Sequence, residues 1–249
     1  MALPPARDGR VPLQVSRPGI IRRTVLRAAA PVLKGWYAWW NGRERHVRVD
    51  GLDFVVLPGV FPPHLFFSTR LLAEHVRSLP LQGRTFLDLG TGSGRIALTA
   101  ARAGGIVTAC DLNPAAVGCA TNNAARNDLR ITAVLSDQFD GLPDHFDVIA
   151  INPPYYDRDP TTPAEQAFLA GEGLRYFQRL FPVLADRIYQ GSEVFMVLSE
   201  DLDLERIQAI ARKSGLEMNG LRRARRWAET STVFMIRRLT DPRSSPTGS

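Results

Sequence analysis

Cysteine and long apolar runs are what this sequence has least of. Of its 249 residues only Cys110 and Cys119 are cysteines, and they show neither metal-ligand nor redox spacing. That argues against a disulfide-stapled scaffold and a cysteine metal centre, so no metal is expected. The two thiols are expected to be reduced and structural, in a cytoplasmic compartment. No run approaches the ~18 consecutive apolar residues that a membrane-spanning helix requires. The apolar stretch 28–40 is broken by Pro31, Lys34 and Gly35, which also makes it a poor signal-peptide core. No transmembrane association is expected. The composition, 45% apolar and 22% charged, is that of a soluble globular protein with a full core.

The net charge of +6 is unevenly placed. Residues 1–48 hold ten basic residues against Asp8 and Glu44, so the remainder carries a small negative balance. This basic leader also holds a dense aromatic cluster, Trp36, Tyr37, Trp39 and Trp40. Arginine beside aromatic rings suits single-stranded nucleic acid or a membrane surface, or the rings staple the leader to the core. A second basic run, Arg222-Arg-Ala-Arg-Arg-Trp227, is expected in the connection between the last two strands. Either Arg-rich segment could attract an anionic partner.

Residues 1–45 are expected as a basic, Trp-rich and partly disordered extension, with helix within Ile20–Trp40. A hairpin and a helix over 46–83 lead into a core domain, 84–239, and 240–249 reads as a disordered tail. The pair Asp50-Gly51 between two apolar runs is the hairpin signal. From Arg84 short apolar strands alternate with helical stretches, and two final strands form a C-terminal antiparallel hairpin. The predicted fold is α/β, a doubly wound Rossmann-like seven-stranded sheet, with ligands at the carboxyl ends of its strands.

Two constellations fall at those ends. Asp88-Leu-Gly-Thr-Gly-Ser-Gly94 joins a strand to a helix, and its three glycines permit a sharp bend and close approach to a ligand. Its amides can hold a charged, polar tail such as an amino-acid moiety. Asp111 follows the next strand about 20 residues after the first glycine, where a carboxylate suits a ribose diol. Asp137-Gln138-Phe139 follows the third strand, where a carboxylate can accept an adenine amino proton and Phe139 can pack on the ring.

The second constellation, Asn152-Pro-Pro-Tyr155, follows the strand ending at Ile151. The Asn152 side-chain oxygen and the Pro153 carbonyl could accept two N–H groups and aim a planar nitrogen at a methyl group. They would also stabilise the positive charge developing on that nitrogen. The diproline stiffens the loop, and Tyr155 offers a face to a planar group.

On these residues, the chain from about Phe61 to Leu239 resembles class I S-adenosylmethionine-dependent methyltransferases. Within them it resembles the HemK-type branch, which holds release-factor glutamine methyltransferases and related nucleic-acid amino-methyltransferases. The resemblance implies S-adenosyl-L-methionine held by Asp88, Gly90, Thr91, Gly92, Gly94, Asp111, Leu112, Asp137, Gln138 and Asn152. It implies catalysis by Asn152, Pro153 and Tyr155, and acceptor binding by Asn152, Pro154, Tyr155, Ser68 and Thr69. Asp88 and the glycine turn would meet the methionine part, Asp111 the ribose and Asp137 the adenine. The implied acceptor is a macromolecule, a protein glutamine amide first and an RNA or DNA base amine second. A small molecule, or a silent binding protein of this fold, are further readings. The family usually carries a Pro-x-x-acidic-Ser/Thr element; here Pro62-Pro-His-Leu-Phe-Phe-Ser-Thr69 has the hydroxyls without the acid.

Overall fold

The structure is a computed structural model and describes residues 42–154, 171–226 and 229–239. The expected leader helix, Tyr155, Trp227 and the tail from residue 240 lie outside the described residues.

The chain enters as a hairpin, β1 (Arg45–Val49) and β2 (Leu52–Val56), paired in antiparallel register with Val49 opposite Leu52. Asp50 and Gly51 turn it with φ of 52° and 78°, left-handed values that aspartate tolerates and glycine prefers. Helix α1 (Phe67–Arg77) follows and buries Leu71, Leu72 and Val76. Then come β3 (Thr85–Leu89), α2 (Arg95–Arg102), β4 (Ile106–Asp111), α3 (Pro114–Arg126), β5 (Thr132–Leu135) and β6 (Val148–Ile151). After Leu174 the chain continues through α4 (Arg175–Arg187), β7 (Glu193–Ser199), α5 (Leu204–Lys213), β8 (Leu216–Arg226) and β9 (Glu229–Arg238).

The second sheet has seven strands in the order β5-β4-β3-β6-β7-β9-β8. Strands β3 to β7 pair in parallel, whereas β9 runs antiparallel to both β7 and β8. From β3 the chain first moves outward to β4 and β5, then returns to lay β6 on the opposite side. The strand order therefore reverses between β3 and β6, the kind of switch point at whose carboxyl ends open α/β sheets bind their ligands. The central strands carry the continuous apolar runs expected of a sheet covered on both faces, and all of Val148–Ile151 is buried. One core packs the hairpin, α1, α2 and α3 on one face, and a second packs α4 and α5 on the other. Among the described residues no helix is long and apolar enough to cross a membrane.

The basic run forms part of β8, not a connection as the sequence reading expected. Past a register shift between Gly220 and Arg222, the strand continues to Arg226, which pairs with Glu229. Arg222 Nη2 donates to Glu74 on α1 at 2.8 Å, and Arg223 grips both oxygens of Glu200. Two of its four arginines thus hold the ribbon against the domain, while Arg225 and Arg226 are exposed.

Candidate active site

Three neighbouring strands, β4, β3 and β6, bring Asp111, the glycine turn and Asn152 to one edge of the sheet. The turn leaves β3 with φ of 82° at Gly90, 54° at Gly92 and 90° at Gly94, values that favour glycine. Two of these glycines are required by close neighbours. A Cβ at Gly92 would come within 3.1 Å of the Phe61 Cβ, and one at Gly94 would meet Ala120 Cα at 3.1 Å. Gly90 differs, because a Cβ there would meet nothing within 4 Å. Open space above Gly90 is what a ligand lying against the turn requires.

The amides of the turn do not form the free donor set that the sequence suggested. Gly90 and Thr91 both donate to the Cys110 carbonyl at 2.9 Å. Gly92 donates to Asp111 Oδ2 at 2.9 Å, and Gly94 to the Thr91 carbonyl at 2.9 Å. These bonds lock the turn onto the end of β4. Asp88 is likewise a brace: 2% exposed, its Oδ2 accepts from the Thr91 hydroxyl at 2.7 Å and the Ala97 amide at 3.0 Å. Burial pushes its pKa up to about 7, against the pull of those two bonds.

Asp111 ends β4 with both oxygens engaged, Oδ2 by Gly92 and Oδ1 by the Asn113 amide at 2.9 Å. Burial raises its pKa, and the hydrogen bonds from Asn113, Gly92 and Leu112 partly offset this. The next helix is well begun: Asn113 accepts from the Ala115 amide at 2.9 Å, and Pro114 takes the first helical position. Leu112 beside it is 51% exposed, an apolar face left at the sheet edge.

Asp137 lies past β5, paired with Arg179 of α4 at 2.6 Å. Gln138 adopts φ of 56°, and its carbonyl accepts from the Ser136 hydroxyl at 3.0 Å. A hollow of about 300 Å³ lies between Asp137–Asp140 and α4, lined also by Gln178, Arg179, Pro182 and Val183. It shares Asp137 and Gln138 with the expected site, but Gly90, Asp111 and Asn152 do not line it. Phe139, expected as an adenine-packing ring, also borders this hollow. Its side chain is 2% exposed within the core, with the Arg187 guanidinium 5.4 Å from the ring centroid.

Asn152 follows β6, and its Nδ2 donates to Thr69 Oγ1 on α1 at 3.1 Å. Thr69 is 4% exposed and Ser68 is fully buried. Ser68 Oγ has no hydrogen-bond partner among the described residues, whereas Thr69 reaches the motif. Pro153 and Pro154 follow Asn152 out of the sheet. Phe66, in the stretch that lacks the acidic residue of the expected element, is the N-cap of α1 and gives it no side-chain cap. Its ring stacks on Phe61 at 4.7 Å, and Phe61 in turn abuts Gly92. His64 is exposed, and burial of its ring and the nearby Arg95 charge lower its pKa.

Three structural contributors were not singled out from the sequence. Arg95, 4% exposed at the start of α2, donates to the Pro63 carbonyl and pairs with Asp50 at 2.7 Å. Asn123 is fully buried and donates to the Ser93 carbonyl at 2.9 Å. Tyr176, in the first turn of α4, has its phenol pKa raised by burial and by Cys110, Asp111 and Asp137. A charge or an amide inside an otherwise apolar helix face was the available signal for the first two. Among the described residues no group of His, Cys, Asp and Glu could hold a metal ion.

The release factor glutamine methyltransferase of Bordetella pertussis is 39% identical over 133 residues, covering 51% of this chain and 46% of its own. That of Lactococcus lactis subsp. lactis is 30% identical over 170 residues, covering 64% and 60%. The chain spans about half the length of the curated relatives it matches. A solved T. thermophilus 16S rRNA N2 G1207 methyltransferase, in complex with AdoMet and guanosine, superposes with a TM-score of 0.56 at 27% identity. That match covers 79% of this chain and 50% of the other. The sequence profile of one family runs from the hairpin turn to the end of α5, over residues 51–213, and by it the chain belongs to the methyltransferase small domain family.

Proposed function

We propose that this protein is an N-methyltransferase that uses S-adenosylmethionine to methylate a planar nitrogen, the side-chain amide of a protein glutamine. The reading is carried by one observation: the Asn-Pro-Pro strand exit lies beside a glycine turn with open space above Gly90. The glutamine acceptor draws on the relatives named as release factor glutamine methyltransferases.

The residues present fit the cofactor. Asp111 would take the ribose diol, with its orientation fixed by the Gly92 and Asn113 amides. Asp137 would accept from the adenine amino group while Arg179 holds its Oδ2. Leu112 would cover the base, and the space above Gly90 would admit the amino-acid end. When bound, S-adenosylmethionine supplies an electrophilic methyl group. Asn152 Oδ1 and the Pro153 carbonyl would bind the two N–H groups of the acceptor, orient its nitrogen and oppose the positive charge that grows there. No strong base is required, since the proton becomes acidic only after transfer. Pro154 keeps the exit stiff, and Tyr155 is assigned the planar face of the acceptor.

Methylation of an RNA base amine is the second reading, favoured by the likeness to the 16S rRNA methyltransferase. The two are separated by incubating purified protein with methyl-labelled S-adenosylmethionine and a methyl-deficient lysate. Nuclease-resistant, protease-sensitive label is expected. Label released by nuclease would replace glutamine with RNA, and absence of macromolecular label would overturn both.

A further inference from the structure

A carboxylate accepts hydrogen bonds and donates none, whereas the exocyclic amino group of adenine donates. That pairing tells adenine from a base with an oxo group at the same place, but only while the carboxylate is held toward it. An aspartate does not hold itself, because the torsion that turns its carboxylate is broad and roughly two-fold. A fixed cation beside it settles where its oxygens point.

Arg179 stands in that place for Asp137. Its Nη2 donates to Asp137 Oδ2 at 2.6 Å, across 42 residues of sequence. The direction of this bond is unambiguous, since a guanidinium only donates and stays charged. Among the described residues the other oxygen, Oδ1, takes no hydrogen bond. Arg179 borders the hollow of about 300 Å³ together with Asp137 and Phe139. Tyr176, three residues earlier, lies on the same face of α4. Burial chiefly, and Cys110, Asp111 and Asp137 besides, raise its phenol pKa. This face of α4 therefore runs from the carboxylate assigned to the ribose to the one assigned to the base. We propose that Arg179 is a positioning residue for the adenine end of the cofactor, holding Asp137 by one oxygen so that the other reads the amino group. The inference rests on the function proposed above and adds to it a source of selectivity for an amino-bearing purine.

The ion pair is exposed, with side chains 64% and 34% accessible, so it adds little to stability and its loss should leave the protein folded. Wild type, Arg179→Met and Arg179→Lys are titrated calorimetrically with S-adenosylhomocysteine and with S-inosylhomocysteine, in which an oxo group replaces the amino group. Wild type is expected to bind the adenosyl compound at least about tenfold more tightly, because the oxo group would face an unpaired carboxylate oxygen. Arg179→Met should weaken adenosyl binding about 3- to 10-fold, the range for one side chain that the ligand must now order. Inosyl binding should change less than about twofold, so the preference falls to about threefold or less. Arg179→Lys, whose ammonium can serve the same single bond, should keep most of the preference. Should the methionine variant fail to fold, Arg179→Ala takes its place with the same expectations. An unchanged preference in the methionine variant, or equal weakening or tightening of both compounds, would overturn the positioning role. So would a lysine variant that behaves like methionine. Wild type that binds both compounds equally removes Asp137 from the amino group, and the proposal with it. Wild type that binds neither overturns the proposed function instead, which keeps the two failures distinct.

Discussion

Asn123 closes a ring of two hydrogen bonds with the backbone N–H and C=O of Val55: the Val55 amide donates to its Oδ1 at 2.8 Å, and its Nδ2 donates to the Val55 carbonyl at 3.0 Å. One helical turn on, Asn127 repeats the arrangement with Asp53, at 2.8 and 2.7 Å. Two side-chain amides, one on α3 and one at its C-cap, thus stand in for a strand along the outer edge of β2. The same Asn123 Nδ2 also reaches the Ser93 carbonyl, so the hairpin and the glycine turn share one buried group.

Asn123→Ala should therefore be costly, because it leaves the Val55 amide and the buried Ser93 carbonyl without this partner, at about 1–3 kcal/mol each before relaxation, while Cys119 Sγ still donates to the Val55 carbonyl. A loss of about 2–4 kcal/mol in urea unfolding is expected, with faster hydrogen exchange at the Val55 amide. Asn127→Ala, at a more exposed site, should cost about 1 kcal/mol or less. Equal losses in the two variants would contradict the distinction.

Gly90 and Gly94 have similar backbone angles but different surroundings, so the same substitution should separate them. Gly94→Ala forces a Cβ against Ala120 and should lower stability by more than about 2 kcal/mol. Gly90→Ala meets open space and carries only the left-handed penalty, about 1–2 kcal/mol. Its methyl group would occupy the space assigned to the ligand, so S-adenosylmethionine affinity should fall at least about tenfold, or about 1.4 kcal/mol. Calorimetric titration of a folded Gly90→Ala protein checks this, and unchanged affinity would remove the ligand from that position.

Asp88 should make stability depend on pH. Its pKa lies near 7 in the folded protein, above the ordinary 3.8, so the folded state favours the protonated acid. The resulting penalty is absent below the ordinary carboxylate range, grows as pH rises and levels off above about pH 7. Asp88→Asn keeps an acceptor for Thr91 and Ala97 and cannot ionise. Between pH 5 and 8 the wild type should lose on the order of 2–3 kcal/mol relative to the variant. Parallel stability curves would refute an ionising Asp88.

Asn152→Ala and Asp111→Ala should fail in opposite ways. The first should abolish transfer yet bind S-adenosylmethionine within about twofold of wild type. The second should weaken that binding by about tenfold or more. Retained turnover in the first, or unchanged affinity in the second, would strike out the corresponding role.

Most strand and helix positions were legible because the signals are local. The strand that runs into the glycine turn, Thr85–Leu89, agrees with the alternation expected from Arg84, since an apolar run ending in glycine needs no distant information. Asp111 and Asn152 could be placed for the same reason, each following an apolar strand. What stayed hidden depends on partners far along the chain. Arg222 and Arg223 read as a solvated connection because Glu74 and Glu200 cannot be assigned to them from sequence. The Asp88 amide partner on α2, the Asp50 partner of Arg95 and the Thr69 partner of Asn152 were hidden in the same way.

The paired amides at the end of α3 have a meaning for contacts between chains as well. An unpaired strand edge is a template on which another polypeptide can add by backbone pairing, the usual first step of sheet-mediated aggregation. Asn123 and Asn127 occupy that edge of β2 at Asp53 and Val55, so a second strand finds no donors or acceptors to join there. These asparagines therefore close that stretch of edge to backbone pairing in the folded chain.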